Sequence, residues 1–367
     1  MLTTLISFVV VIGVVIFVHE LGHFLAAKSV GIRVETFSLG YPPKAISKRV
    51  GETEYCLSWI PLGGYVKMAG MIDESSIGGE AKLTGAPWEF SSKSTLAKLW
   101  VVTAGVVMNL LLGVVIYTGI AAFKGLPEAS QEPMVGELTP GWPAEKAGLQ
   151  VGDRIVQIEG VEIRTWDDLL THIRPRAEVP TRLVVRRDGT DQELTVTPQR
   201  SAARAEGAEE GIGQIGIGPE VVYRPASAGE VVLAGFVGTG NVVALVGTSL
   251  WKLVTGQASV KELGGPILIA KLSGESARRG VATLLSFLAL ISINIGCFNL
   301  LPIPALDGAH ALIVASEGVL RRQLPSRAKL AIQQVGMLLI LALVVIIVVN
   351  DAQRIFGFEW LKKLVAH

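Results

Sequence analysis

The sequence predicts a polytopic α-helical membrane protein with about four transmembrane helices, a soluble α+β domain inserted between them, and a membrane-associated β-hairpin. Three observations carry this fold class. Four apolar runs, at about 4–27, 99–123, 281–306 and 331–349, are each long enough to span a bilayer. Between the second and third runs, from Met134 to Pro198, the composition turns soluble. Half of the 367 residues are apolar and only 18% are charged, and the mean hydropathy is positive. The net charge of +1 gives no argument for nucleic acid. Two cysteines, Cys56 and Cys297, are too few for a disulfide framework.

The first run has no charged residue from Leu5 to Val18, then ends in Val18-His19-Glu20-Leu21-Gly22-His23-Phe24. It has neither a basic leading segment nor a small-residue cleavage site, so it reads as a retained span. His19 and His23 are four apart, so on a helix they share one face and can share one ion. In an HExxH pattern the imidazoles hold Zn²⁺ and the intervening Glu20 is the general base. Ionisable groups at the end of an apolar span are costly, and by default they signal function.

The connection between the first two runs carries Lys28, Arg33, Lys44, Lys48, Arg49, Lys67, Lys82, Lys93 and Lys98. The connection between the last two carries Arg321, Arg322, Arg327 and Lys329. The positive-inside rule places both in the cytoplasm, which leaves the region from about 124 to 280 outside. Lys362 and Lys363 in the tail run slightly against this. Within the first connection, residues 54–68 read as strand, Gly-containing turn and strand, apolar enough to dip into the membrane beside the metal motif. From Ile72 to Ser94 the chain reads as loop.

In the soluble stretch, Val135 to Leu138 is strand-like, and Ala144 to Leu149 is a short helix ended by Gly148. Val151 to Gly160 gives turn, strand and turn, and Trp166 to Ile173 suits a helix capped by Thr165. A hairpin forms around Asp188-Gly189. This order, with the phrase from Pro143 to Ile155, resembles a circularly permuted PDZ domain of the bacterial kind. Ser201 to Glu210 reads as linker. A fifth run, Val231 to Leu250, lacks charge but is interrupted by Gly235, Gly238, Gly240 and Gly247.

A catalytic zinc site usually has three protein ligands. The candidates for the third lie in Asn299-Leu300-Leu301-Pro302-Ile303-Pro304-Ala305-Leu306-Asp307-Gly308-Ala309-His310. Asp307 is acidic at the end of an apolar run, with prolines that free backbone around it. It could instead cap the helix continuing through His310, and His310 is the rival ligand.

HExxH in the first span, the PDZ-like domain and N-x-x-P-x-P-x-L-D-G late in the chain resemble the site-2 protease family, most closely its bacterial regulator-of-sigma-E protease group. The phrases Phe37-Ser38-Leu39-Gly40 and Ile60 to Met68 extend the likeness over essentially the whole chain. The departures are modest: Tyr41-Pro42-Pro43, Val106 for a proline, and Ala309 for a second glycine. One PDZ domain stands where many relatives carry two. The resemblance implies Asp307 as third ligand, Glu20 as base and Asn299 as a substrate-positioning residue, with one Zn²⁺ per chain. It also implies an endopeptidase of the bacterial inner membrane that cleaves single-pass proteins such as pre-trimmed anti-sigma factors or remnant signal peptides.

A helical substrate must unwind, and the hairpin with Gly63, Gly64 and Tyr65 would take the extended segment by strand addition. If Asp307 is the ligand, it must emerge on the same side as His23. Parity then keeps Val231 to Leu250 along the surface or only partly in the bilayer. The expected organisation is 1–127 and 281–367 as membrane core, 128–200 as PDZ domain and 201–280 as linker and membrane-surface segment. The alternatives are a non-catalytic PDZ membrane scaffold and a metal transporter.

Overall fold

The first apolar run forms one unbroken helix, α1 (Leu2–Ser29). Beyond a turn at Gly31 the chain enters β1 (Val34–Val50) and β2 (Thr53–Met68), an antiparallel pair joined at Gly51-Glu52. Thr36 to Leu39 lie between two parts of β2, with Glu54 to Leu57 on one side and Gly64 to Lys67 on the other. This corrects the hairpin expected within 54–68. Gly63-Gly64 lies inside β2, and the strand that separates its two halves comes from upstream. Local alternation and a glycine pair cannot reveal such a partner, because register is set by non-local pairing. The next apolar run forms α2 (Thr95–Lys124).

The computed structural model describes residues 2–71, 84–200, 211–257, 264–322 and 324–356. The linker expected at 201–210, residues 72–83 of the expected loop, and the lysines of the tail lie outside the described residues. The chain divides into two compact units, Met1–Ala121 with Ala228–His367, and Ala122–Ser227.

The second unit contains β3 (Leu126–Ala129), β4 (Val135–Leu138), α3 (Pro143–Lys146), β5 (Arg154–Ile158), β6 (Val161–Glu162) and α4 (Trp166–Ile173). They are followed by β7 (Thr181–Arg187), β8 (Thr190–Val196) and β9 (Gln199–Arg200). A four-stranded sheet runs β6-β5-β7-β8. The β7–β8 turn is Asp188-Gly189, both with positive φ (49° and 81°), the pairing a two-residue type I′ turn requires. Helix α4 starts at Thr165, whose hydroxyl accepts from Asp168 N while the Asp168 carboxylate accepts from Thr165 N, a capping box. Ile155, Ile158, Leu169, Leu183, Val185 and Val196 form the core between helix and sheet. Each contributes about 1.5–3 kcal/mol by its burial. Three short strands close the unit: β10 (Gly213–Gln214), β11 (Ile217–Pro219) and β12 (Val221–Arg224), pairing with β9, β4 and β3 respectively. The unit thus continues to Ser227, where composition suggests an end at 200. Strands of two to four residues carry too little periodicity to be read from sequence.

Among the described residues, five helices follow: α5 (Ala228–Val254), α6 (Pro266–Arg278), α7 (Val281–Asn299), α8 (Asp307–Leu320) and α9 (Ser326–Phe356). The third run, expected to be helical to 306, stops at Asn299, and Pro302 and Pro304 occupy the break. Among the described residues five helices, α1, α2, α5, α7 and α9, are long and apolar enough to cross a membrane, one more than the sequence suggests. The chain is a multi-pass membrane protein with several long apolar helices and β-sheet. Two of the four glycines in the fifth run, Gly235 and Gly238, form a packing surface. A Cβ at Gly235 would lie 2.7 Å from Val114 O, and one at Gly238 would lie 3.1 Å from the Tyr117 ring. Small residues let α5 lie directly on α2, as apolar helices do where lipid supplies no hydrophobic drive to pair them.

Candidate metal centre

The centre begins where α1 crosses α2. A Cβ at Gly22 would overlap Ala104 O, and a Cβ at Gly105 would overlap His23 Nε2 and sit 2.7–2.8 Å from the His19 ring. Both positions must be glycine-sized for the two backbones to meet with the imidazoles between them. The close crossing brings Val101 O to 2.8 Å from His23 Nδ1. A carbonyl oxygen only accepts, so in the neutral imidazole the proton sits on Nδ1 and Nε2 presents its lone pair. The amide of Asn109, fully buried on α2, lies 3.2 Å from His19 Nδ1.

Asp307 reaches the same point from the far end of the sequence. The break after α7 folds the chain back, with Ala305 in the left-handed region (φ 76°). A Cβ at Gly308 would overlap Leu300 O and Leu301 O, so the glycine after Asp307 makes this tight return possible. Asp307 is the first residue of α8, and the N-cap is Leu306 with no side-chain cap bond, so the capping alternative for Asp307 does not hold. His310 does not join the cluster either: its Nε2 lies 3.0 Å from the Gln333 amide nitrogen.

Asp307 Oδ2 stands 3.1 Å from His19 Nε2 and 3.3 Å from His23 Nε2, and the two Nε2 atoms are 3.3 Å apart. Ligands bonded to a tetrahedral Zn²⁺ at about 2.0–2.1 Å are separated by roughly 3.3 Å. The three donors therefore already mark one face of such a tetrahedron. Oδ2 is buried and has no hydrogen-bond partner among the described residues. Two imidazole nitrogens and an orphaned carboxylate oxygen crowded together fit a divalent cation.

Of the other predicted residues, Asn299 lies beside this face and Gly64 beside Glu20. Asn299 Nδ2 is 3.3 Å from His19 Nε2, at the C-terminal end of α7. A Cβ at Gly64 would lie 3.0 Å from Glu20 Cγ and 2.9 Å from Ser38 O, so the bare backbone of β2 passes directly beside Glu20. The missing side chain at Gly63 makes room for the Tyr41 ring. Tyr65 is half-buried, with Ser38 as its ladder partner. Phe37, Val66, Ala26, Val101, Val102 and Ala104 form the apolar cluster that fixes this sheet against α1 and α2. Sequence reading missed Gly105, Asn109 and the Val101 carbonyl. The one available signal was a polar side chain, Asn109, inside an apolar span.

The family model described as Peptidase family M50 matches residues 7–343. A candidate zinc metalloprotease of Clostridium perfringens is 35% identical over 92% of this chain and 94% of its own. One from Mesorhizobium japonicum is 36% identical over 95% and 98% respectively. Zinc metalloprotease RasP of Bacillus licheniformis is 29% identical over 97% and 100%.

Proposed function

This chain belongs to peptidase family M50, and on that premise we propose that His19, His23 and Asp307 hold its zinc and Glu20 is its general base. The protein is an intramembrane zinc metalloprotease. The observation that carries the ligand set is the orphaned Asp307 Oδ2 facing both Nε2 atoms. Zinc held there supplies Lewis-acid polarisation of a carbonyl and lowers the pKa of water to about 7. Glu20 takes a proton from the water that attacks the scissile carbonyl and returns it to the departing amine. Asn299 directs its amide N–H groups to the same point and orients the peptide. The segment Gly64 to Met68, paired with β1 on one side, accepts an extended substrate strand on the other, bringing the scissile bond past Glu20. A helical substrate must unwind to use such an edge, so single-pass membrane segments are the substrate class. Neither the scaffold nor the transporter alternative accounts for a base beside the ligands.

The membrane in question is the bacterial inner membrane, with the unit at 122–227 a PDZ-like domain on its outer side. The lysine- and arginine-rich connections at 28–98 and 321–329 support this orientation. On this reading the chain is back on the side it left at Ala228 by the start of α6. A Cβ at Gly274 would crowd Thr4, at the end of α1 opposite His19, and one at Gly265 would crowd Asp351 near the C-terminal end of α9. The chain then enters α7 away from the donors and leaves it at Asn299 beside them. The number of net crossings stays at four.

Glu20→Gln tests the assignment. The purified variant is expected to keep zinc near one per chain and to lose cleavage of a helical model substrate. Wild-type cleavage by Glu20→Gln would remove the base from the mechanism.

A further inference from the structure

His19 and His23 are held differently. The second nitrogen of His23 faces a main-chain carbonyl, Val101 O, whose chemistry no substitution on α2 can change. The second nitrogen of His19 faces a side chain, the Asn109 amide, at 3.2 Å. Asn109 is itself immobilised. It is fully buried, its main-chain oxygen accepts from Ser292 Oγ at 2.9 Å, and a Cβ at Gly296 would lie 3.3 Å from its Cβ. Yet its Oδ1 has no hydrogen-bond partner among the described residues.

That unpartnered oxygen and the His19 ring answer each other. An amide nitrogen and oxygen exchange places by a half-turn about the terminal bond, and their assignment rests on the network around them. With the nitrogen toward His19, the ring must present a lone pair at Nδ1 and carry its proton on Nε2, pointing at Asp307. With the oxygen toward His19, Nδ1–H donates to Oδ1, the orphaned acceptor is satisfied, and Nε2 is bare toward Asp307 and His23. Only the second arrangement leaves Nε2 able to bind a cation.

We infer that Asn109 is a positioning residue that sets the tautomer and ring angle of His19, so that metal affinity is controlled from α2 as well as from the ligands themselves. Gly105, one turn earlier, serves the same helix face by giving both rings room. The inference rests on the ligand set proposed above.

The test compares zinc dissociation constants, by chelator competition, for full-length wild type, Asn109→Leu, Asn109→Asp and Ser292→Ala. Co²⁺ absorption serves as a second readout of ligand geometry. Asn109→Leu, of similar volume without an acceptor, is expected to weaken zinc about 10- to 100-fold and to shift the Co²⁺ bands. Asn109→Asp, which still accepts, is expected to retain most of the affinity. Ser292→Ala, which loses only the bond to the Asn109 main chain, is expected to bind as wild type does. If Asn109→Leu does not fold, Asn109→Ser is too short to reach Nδ1 and is read in its place. Wild-type affinity in the leucine or serine variant would overturn the inference and leave the ligand set standing. So would equal losses in Asn109→Leu and Ser292→Ala, since packing rather than the acceptor would then be responsible. Absence of zinc from the wild type would instead defeat the ligand set.

Discussion

Asp307 in the membrane unit and Asp153 in the unit at 122–227 are carboxylates held in opposite ways. Asp153 is 1% exposed, and Arg187 donates to both its oxygens at 2.7 Å, with Gln150 N adding a bond at 2.8 Å. Asp307 keeps 21% of its side chain exposed, but among the described residues its buried Oδ2 meets only imidazole nitrogens. A buried charge is tolerated when it is paired and hydrogen-bonded. The satisfied carboxylate is therefore a structural tie, and the unsatisfied one is the position we propose as a ligand. The membrane unit carries a third, intermediate case. Asp351 on α9 is fully buried, its Oδ2 accepts from Leu268 N at the start of α6, and its Oδ1 has no partner among the described residues.

The comparison breaks or sharpens through substitution. The largest effect is expected at Asp307. Asp307→Ala should lose both bound zinc and cleavage while the protein stays folded, since no N–H or O–H bond to Oδ2 is lost. Metal analysis and far-ultraviolet circular dichroism of the same sample decide this, and full zinc occupancy would remove Asp307 from the ligand set.

Asp153→Ala should do the reverse. Leaving Arg187 without its partner should cost about 3 kcal/mol in the stability of its unit, with zinc unchanged. Burial pushes the Asp153 carboxyl up, but the Arg187 guanidinium and the Gln150 N–H outweigh it and hold it below the usual carboxylate value. Because the folded pKa is the lower one, the stability it contributes is present in full above the unfolded value of about 4. It is lost as pH falls through the folded pKa. Thermal melts should therefore show a drop below about pH 4 that Asp153→Ala lacks. A drop of the same size in both would assign the acid sensitivity elsewhere.

Asp351→Ala removes a cap from α6 and should cost about 1 kcal/mol, read as a lower melting temperature in detergent with zinc occupancy unaltered. Zinc loss there would make Asp351 part of the centre's support. Thr165→Ala removes one side of the α4 capping box and should cost about 1 kcal/mol or somewhat less, the smallest change, confined to the unit at 122–227. A melting temperature equal to wild type would mean that the Asp168 carboxylate alone suffices.

The three carboxylates also show how far sequence reading reaches. Asp307 stood out because an acid beside two prolines interrupts an apolar run, and the sequence left capping open as its role. Asp153 entered only as one residue of the phrase from Pro143 to Ile155 and Asp351 was not distinguished, since the donors that define their roles lie on distant strands and helices. Arg187 reaches Asp153 from β7, and Leu268 N reaches Asp351 from α6.

What the sequence determined by itself is what a few neighbouring residues can dictate. A helix places residues four apart on one face, so His19 and His23 were a pair before any tertiary structure existed. A two-residue Asp-Gly turn, a Thr–Asp capping box and long charge-free runs likewise follow from local backbone chemistry and from the cost of charge in lipid. The tertiary structure decided what depends on partners far along the chain. It set the strand from Thr36 to Leu39 between the two parts of β2, and it laid Gly235 and Gly238 of α5 against α2. It also gathered Val101, Gly105, Asn109, Asn299 and Asp307 around the histidines, Asn299 from 280 residues beyond His19. Hydrogen bonds and ligand geometry act over about 3 Å, whereas sequence order fixes only what lies within a turn or two of each residue.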